Sequence, residues 1–281
     1  MKASKSGGTV IKRGKAEKAF TVFNYIFFIL LSIVMVYPFW HVIMMSFSSV
    51  EATAKGGVFL YPQGFNLDTY AKVFKDPSIW TGYATTIGVT VLGTVFGTLF
   101  TATTAYPLSK ANLPFQKTLN FLILFTMLFS GGMVPTYILI TQGLQWKNTF
   151  AVMIVPSLVY AFHVIMIRTF FQKLPPALFE SAKIDGASEF VIFFRVALPL
   201  SVPVLTTVAF FTAMSKWNDW QTGLLYITEE NMEPLQYMLY RIEQNIQSLI
   251  TALSQGGGIS VDIRDIPGQN LLMAMAVVAV S

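Results

Sequence analysis

Residues Glu180 to Pro199 read ESAKIDGASEFVIFFRVALP, a polar island between two long apolar runs. The island predicts two short helices around a break at Gly186. Pro175 and Pro176 open the first helix, where a missing N–H costs little. Gly186 breaks it, because only glycine turns there without steric cost. Asp185 is expected to cap the second helix, with Glu189 near its positive first turn. Phe190, Phe193, Phe194 and Ala197 recur at helical spacing and predict one apolar face. Pro199 is expected to close the pattern before the next apolar run.

The flanks of the island set the class. The chain has 281 residues, 54% hydrophobic and only 12% charged, with a mean hydropathy of +0.58. A soluble globular chain carries about a quarter charged residues; the deficit here is what lipid demands of a protein. The net charge of +5 is spread among loops rather than gathered into a stripe, which points to membrane orientation and not to nucleic acid. With no cysteine, disulfides, thiol catalysis and cysteine metal sites are excluded. His41 and His163 both lie in apolar runs, and no HExxH, paired His–carboxylate or P-loop pattern is present, so neither histidine is given a role.

Apolar runs from Phe20 to Phe47, Thr81 to Ala105, Leu119 to Ile140, Phe150 to Phe171, Leu200 to Lys216 and Gly268 to Ser281 predict an all-α polytopic membrane protein with six spans. The island falls between the fourth and fifth, within a loop over 172–199. The first run is too long for a signal peptide and carries Pro38, where a kink is expected. Ser130-Gly131-Gly132 and Pro135 break the third, a feature tolerated at membrane depth where a helix lines a cavity. A basic tail over 1–19 precedes the transmembrane region of 20–281. A long polar segment over 218–267 contains a predicted helix from Leu235 to Leu253, ended by Gly256-Gly257-Gly258. The last run has only about 14 residues where about 20 are needed, so the sequence is expected to stop inside a helix.

Orientation follows from counting. With the N-terminus inside, 12 of the 19 Lys and Arg fall in inner segments, although the outer ones are longer. That choice also places the island in the cytoplasm.

The island resembles the cytoplasmic loop of ABC importer permeases, E-A-A, three residues, G, nine residues, I-x-L-P. Glu180, Ser181 and Ala182 stand at E-A-A, Gly186 follows in register, and Val196, Leu198 and Pro199 fill the last positions. Ser181 for Ala and Val196 for Ile are mild departures. The resemblance implies that Glu180, Ser181, Ala182, Asp185, Gly186, Leu198 and Pro199 couple the membrane helices to separate ATPase subunits. The chain itself holds no cofactor; ATP and Mg would sit on two ATPase copies. It also implies a second homologous permease subunit and an extracytoplasmic binding protein, in the plasma membrane of a prokaryote.

The layout is similar to carbohydrate importer permeases of the maltose-permease type. VYPFWHVIMMSFS in the first span, FSGGMVPTY from Phe129 to Tyr137, and KWNDW from Lys216 to Trp220 carry that likeness. The second stretch resembles permeases that take complex oligosaccharides, including products of polysaccharide lyases. Tyr137, Trp217, Asn218 and Trp220 are the candidate sugar contacts, since pyranose rings favour aromatic faces and amides. For Trp217 and Trp220 an interfacial belt is the alternative. Lys216 or Arg241 would be available to the carboxylate of a uronate-bearing sugar. The 218–267 segment would dock the binding protein or cover this chain's own cavity. A non-sugar importer, for a polyamine, phosphate or amino acid, is the alternative function. An independent ion-coupled carrier or channel is disfavoured, because the spans hold no Asp, Glu, Lys or Arg in their middles.

Overall fold

A computed structural model describes residues 14–55, 57, 60–254 and 269–280. Among the described residues all regular structure is helical. Helix α1 (Lys15–Ser46) runs 32 residues and buries only Met45 and Ser46. A helix apolar all round is built for lipid or another protein, not for water. It reaches back into the stretch read as a tail; residues 1–13 of that tail lie outside the described residues. Ser49 caps α2 (Val50–Ala54) by accepting from the Ala52 N–H. After α3 (Asp68–Lys75), Asp76 caps α4 (Pro77–Ser109), which starts on Pro77 and carries Pro107 inside its last turn.

Three later pairs of helices are each sharply bent at a short break. Helices α5 (Gln116–Leu128) and α6 (Met133–Ile138, continuing as a π-turn to Gly143) bend by 104° across Phe129–Gly132. Gly132 has a φ of +89°, which glycine adopts freely. Ser130-Gly131-Gly132 fall at the break as expected, whereas Pro135 does not interrupt the helix but sits in the first turn of α6, where a missing N–H costs little. Helices α7 (Phe150–Ile154) and α8 (Ala161–Phe171) bend by 49° around a 3₁₀ turn that contains Pro156. Next come α9 (Pro176–Ile184) and α10 (Glu189–Ile192), which continues through a π-turn (Phe193–Ala197) into α11 (Leu198–Leu200). An 80° bend then leads into α12 (Val202–Trp217). Pro199 therefore does not close the island helix; the break comes at Ser201, at φ −103° and ψ 11°. A proline ring crowds the carbonyl four residues back, here Arg195, and the widened π-turn around that residue makes room for it. The chain continues with α13 (Trp220–Tyr226), α14 (Leu235–Ser254) and α15 (Gln269–Val280). The glycines expected to end α14 lie outside the described residues.

The described residues hold two helices, α1 and α4, long and apolar enough to cross a bilayer, and up to five spans if each bent pair counts as one. The α15 helix has 12 residues.

The chain divides into two compact units, Met1–Tyr70 with Val261–Ser281, and Ala71–Ser260. In the first, α15 packs on α1 and α2. Trp40 Nε1 donates to the Leu60 carbonyl at 3.0 Å, and His41 Nε2 lies 3.2 Å from the Gly57 carbonyl. Ser46 and Tyr70 share a hydrogen bond of 2.8 Å between their hydroxyls.

In the second unit α4 is the spine, with α8 and α12 packed along it. Ala102, Ala105 and Tyr106 of α4 meet Val164, Ile167, Phe171, Phe193, Ala197 and Val208 in one buried cluster. Small residues let the helices approach closely. A Cβ at Gly97 would stand 3.2 Å from the Leu158 carbonyl. A second cluster gathers Val89, Ile140, Val152, Met153, Tyr226 and Ile227 at the other end. There Asn148 clasps the chain beyond α13: its N–H donates to the Tyr226 carbonyl at 3.0 Å, and its Oδ1 accepts from the Thr228 N–H at 2.7 Å.

Candidate functional site

The island is two helices joined by a tight reversal. The Gly186 N–H donates to the Lys183 carbonyl at 3.0 Å and the Ala187 N–H to the Ala182 carbonyl at 2.9 Å. With Gly186 at φ +76°, this is a Schellman ending. Asp185 sits at the C-terminal end of α9 and does not cap α10. Ser188 does so, accepting from the Val191 N–H at 3.4 Å. Asp185 lies too far back, since a cap must directly precede the first turn.

Glu189 is the hub of the island. Its Oε1 meets Lys183 Nζ at 2.6 Å, linking α10 to α9. Its Oε2 accepts from the Tyr106 hydroxyl at 2.9 Å, linking both to α4. Lys110 lies over the rings of Tyr106, at 4.4 Å, and Phe179, at 4.0 Å. Burial lowers the affinity of the Lys110 ammonium for its proton, and the Glu189 carboxylate works against that. Arg168 Nε donates to the Leu108 carbonyl at 3.1 Å and so secures the same end of α4 from α8.

The predicted apolar face divides. Phe193 and Ala197 are buried in the main cluster, whereas Phe190 is 73% and Phe194 41% exposed. These two line a groove of about 710 Å³ with Leu99 and Phe100 of α4. Glu180 and Ser181 are exposed and Ala182 half-buried on α9. Leu198 packs on the main cluster, and Pro199 is exposed. Sequence reasoning missed Tyr106 and Lys110, which lie some 80 residues away. It noted Glu189 only for its place at a helix start.

A polar cavity of about 560 Å³ forms where the first two helix breaks meet the junction of α12 and α13. The α5–α6 break brings Ser130, Gly132 and Thr136, the α7–α8 break brings Ser157 and Tyr160, and the α12–α13 junction brings Asn218, Asp219 and Trp220. Broken helices expose backbone and polar side chains to a cavity that an unbroken span would fill. Asn218 and Trp220 line this cavity, and Trp220 stacks on Tyr240 at 4.3 Å and 19°. Asn218 Nδ2 donates to the Met214 carbonyl at 2.8 Å. Asp219 accepts from the Thr222 N–H at 3.0 Å and hydroxyl at 2.6 Å, fixing the start of α13. Tyr137 stacks at 5.7 Å on Tyr226, which lines the cavity, and Trp217 is half-buried outside the lining. The lining carries hydroxyls, amides and aromatic faces, the chemistry that holds a sugar. Neither basic residue suggested for a uronate is in the lining: Lys216 is held by backbone carbonyls and the Ser157 hydroxyl, and Arg241 pairs with Glu233 at 2.7 Å. His163 lies flat against Phe211, ring centroids 6.4 Å apart.

No family model matches the chain. It is 38% identical to Protein LplC of Bacillus subtilis, over 94% of this chain and 88% of the relative. It is 36% identical to the polygalacturonan/rhamnogalacturonan transport system permease protein YtcP of the same species, over 94% and 90%. A third relative, the arabinooligosaccharides transport system permease protein AraQ of Halalkalibacterium halodurans, is 26% identical over 73% and 75%. Among solved structures, a bacterial ABC transporter involved in the import of the acidic polysaccharide alginate superposes with a TM-score of 0.82 at 27% identity, over 96% of this chain and 94% of that one.

Proposed function

The chain belongs to the permease subunits of carbohydrate ABC transporters, and we propose that it is a six-span subunit carrying an oligosaccharide across a prokaryotic plasma membrane. The observation that carries this reading is the polar cavity where two helix breaks meet the α12–α13 junction, with Trp220 on its wall. Broken helices around a central cavity are how transporters place a substrate site within the bilayer.

The remaining parts of the machine follow from the family. An extracytoplasmic binding protein delivers the sugar, a second permease completes the path, and two ATPase subunits hold ATP and Mg. The island from Glu180 to Pro199 is the surface those ATPases push, with the N-terminus on the same, cytoplasmic side. Gly186 gives it a rigid two-helix shape, and Glu189 binds it to α4. Names of two relatives point to acidic sugars as the first cargo to try, oligomers of galacturonate or similar uronates. Recognition of the carboxylates then falls to the binding protein or second permease, because no Lys or Arg is among the cavity-lining residues described here.

The test is purification of the tagged chain in mild detergent, followed by reconstitution with its co-purifying subunits and the binding protein. Recovery of an ATPase and uptake of trigalacturonate in preference to arabinotriose support the reading. A homomer without an ATPase would overturn it.

A further inference from the structure

Lys216 ends the fifth apolar run, where a lysine would ordinarily reach towards water. It is instead 4% exposed. Its ammonium donates to the Met153 carbonyl and the Ser157 hydroxyl, and lies 3.4 Å from the Ile154 carbonyl. No carboxylate of a described residue forms an ion pair with it. A lysine inside a membrane protein is costly and stays only where polar groups meet it; Asp219 adds an attractive charge from beyond ion-pair distance.

The partners explain the placement. Met153 and Ile154 end α7, and Pro156 follows. A 3₁₀ turn would bond the N–H of residue 156 to the carbonyl of residue 153, but proline has no N–H. The end of this half-helix is left with an orphan carbonyl and the negative pole of its dipole. The ammonium of Lys216 fills that position from α12. Its stem has a slot made for it on α4: a Cβ at Gly93 would stand 3.1 Å from Cε, 3.2 Å from Cγ and 3.3 Å from Cδ of the lysine. Ser157 and Tyr160, just beyond the capped end, line the polar cavity, as do Ser215 and Asn218 beside Lys216.

We propose that Lys216 is a positioning residue: a buried cation that caps the broken end of α7, ties the α7–α8 elbow to α12, and so fixes Ser157 and Tyr160 in the cavity wall. The inference rests on the cavity being the path of the sugar. A loosened wall lets the sugar fall back, so that ATP is spent without import.

The experiment measures trigalacturonate imported per ATP hydrolysed, in proteoliposomes holding the whole importer and its binding protein; arabinotriose replaces it if the wild type carries only that. Lys216→Met keeps the length of the side chain and loses the charge and the donors. The expected result is at least a threefold drop in the ratio. Gly93→Ala, which displaces the stem and keeps the charge, should lower the ratio too, and the double variant should fall no further than the worse single one. A wild-type ratio in Lys216→Met, with Trp220→Ala impaired, overturns the proposal alone; a wild-type ratio in both overturns the cavity reading with it. If Lys216→Met fails to assemble with the ATPase, Gly93→Ala decides: a lowered ratio supports the proposal and an unchanged one overturns it.

Discussion

The hydroxyl of Tyr106 lies 2.9 Å from Oε2 of Glu189 and joins the spine helix α4 to the island. Tyr106 is buried, with its ring edge-on to Phe171 at 5.7 Å, whereas the Glu189 side chain is 54% exposed. Hydrogen bonds to charged groups contribute about 1.5–3 kcal/mol when buried. Solvent at Glu189 reduces this to about 1 kcal/mol, roughly fivefold in an equilibrium. Tyr106→Phe should therefore lower sugar imported per ATP two- to fivefold while the ATPase still co-purifies. Glu189→Gln keeps an acceptor for Tyr106 and loses the exposed pair with Lys183 and the weaker attraction to Lys110, so its effect should be smaller. Wild-type stoichiometry in Tyr106→Phe would show that α4 does not carry the movement of the island.

Gly186 tests the shape of the island apart from its contacts. A Cβ there would meet nothing within 4 Å, so only the backbone resists substitution. At φ +76° an ordinary L-residue costs about 1–2 kcal/mol, and asparagine less. Gly186→Asn should retain the ATPase on co-purification and most of the transport. Gly186→Pro, which cannot adopt this φ and loses the N–H given to Lys183, should release the ATPase or uncouple it. Equal behaviour of the two variants would separate coupling from this turn.

Much of this was legible because membrane helices and their breaks are written locally. The Ser130-Gly131-Gly132 break and the proline start of α9 follow from residue type alone. Asp185 was misassigned because Asp and Ser are both good caps; the positions of the turn hydrogen bonds decide between them. The exposed Phe190 and Phe194 share a helical face with buried Phe193, and only the packing of α4 separates them. Lys216 was out of reach for a related reason. Its partners, Met153 and Ser157, lie about 60 residues away on a half-helix whose need for a cap appears only when Pro156 and the bend are seen together.

Glu233 gives the second unit a pH dependence. The residue is buried, its Oε1 bonds Arg241 at 2.7 Å, and its Oε2 has no hydrogen-bond partner. Burial raises its pKa above the ordinary 4.5 and Glu230 adds to this; Arg241 opposes without cancelling it. The folded state thus holds the proton more tightly than the unfolded one. The stabilisation is full below the unfolded pKa and is lost as pH rises through the folded one. The segment that passes the N–H of Leu235 to Thr86 at 2.9 Å should loosen as pH rises from about 4.5 towards neutrality. The protection factor of the Leu235 N–H, its exchange rate divided into that of the unstructured amide at each pH, would show it. Glu233→Gln should flatten the profile and hold the segment at neutral pH, whereas Arg241→Ala, which leaves a buried carboxylate unpaired, should steepen it. A flat profile in the wild type would dismiss the effect.

Trp220 offers a direct test of how the cavity holds a ring. One face of its indole is covered by Tyr240, and the side chain lines the cavity at 40% exposure. Tyr240 belongs to α14, so a helix outside the bent pairs sets the angle at which the indole faces the cavity. Aromatic pairs of this kind contribute about 0.5–1.5 kcal/mol beyond the area they bury. Trp220→Ala removes both the platform and its packing and should reduce uptake at least tenfold. Trp220→Phe keeps a smaller platform on Tyr240 and should lose less than threefold. Tyr240→Ala leaves the indole in place but free to turn, and its uptake should fall between those of the other two. An interfacial belt role predicts a different order: Trp220→Phe would cost nearly as much as Trp220→Ala through the lost indole N–H, and Tyr240→Ala would cost nothing. Uptake of a labelled trisaccharide by the three variants, at matched amounts of assembled importer, distinguishes the two orders.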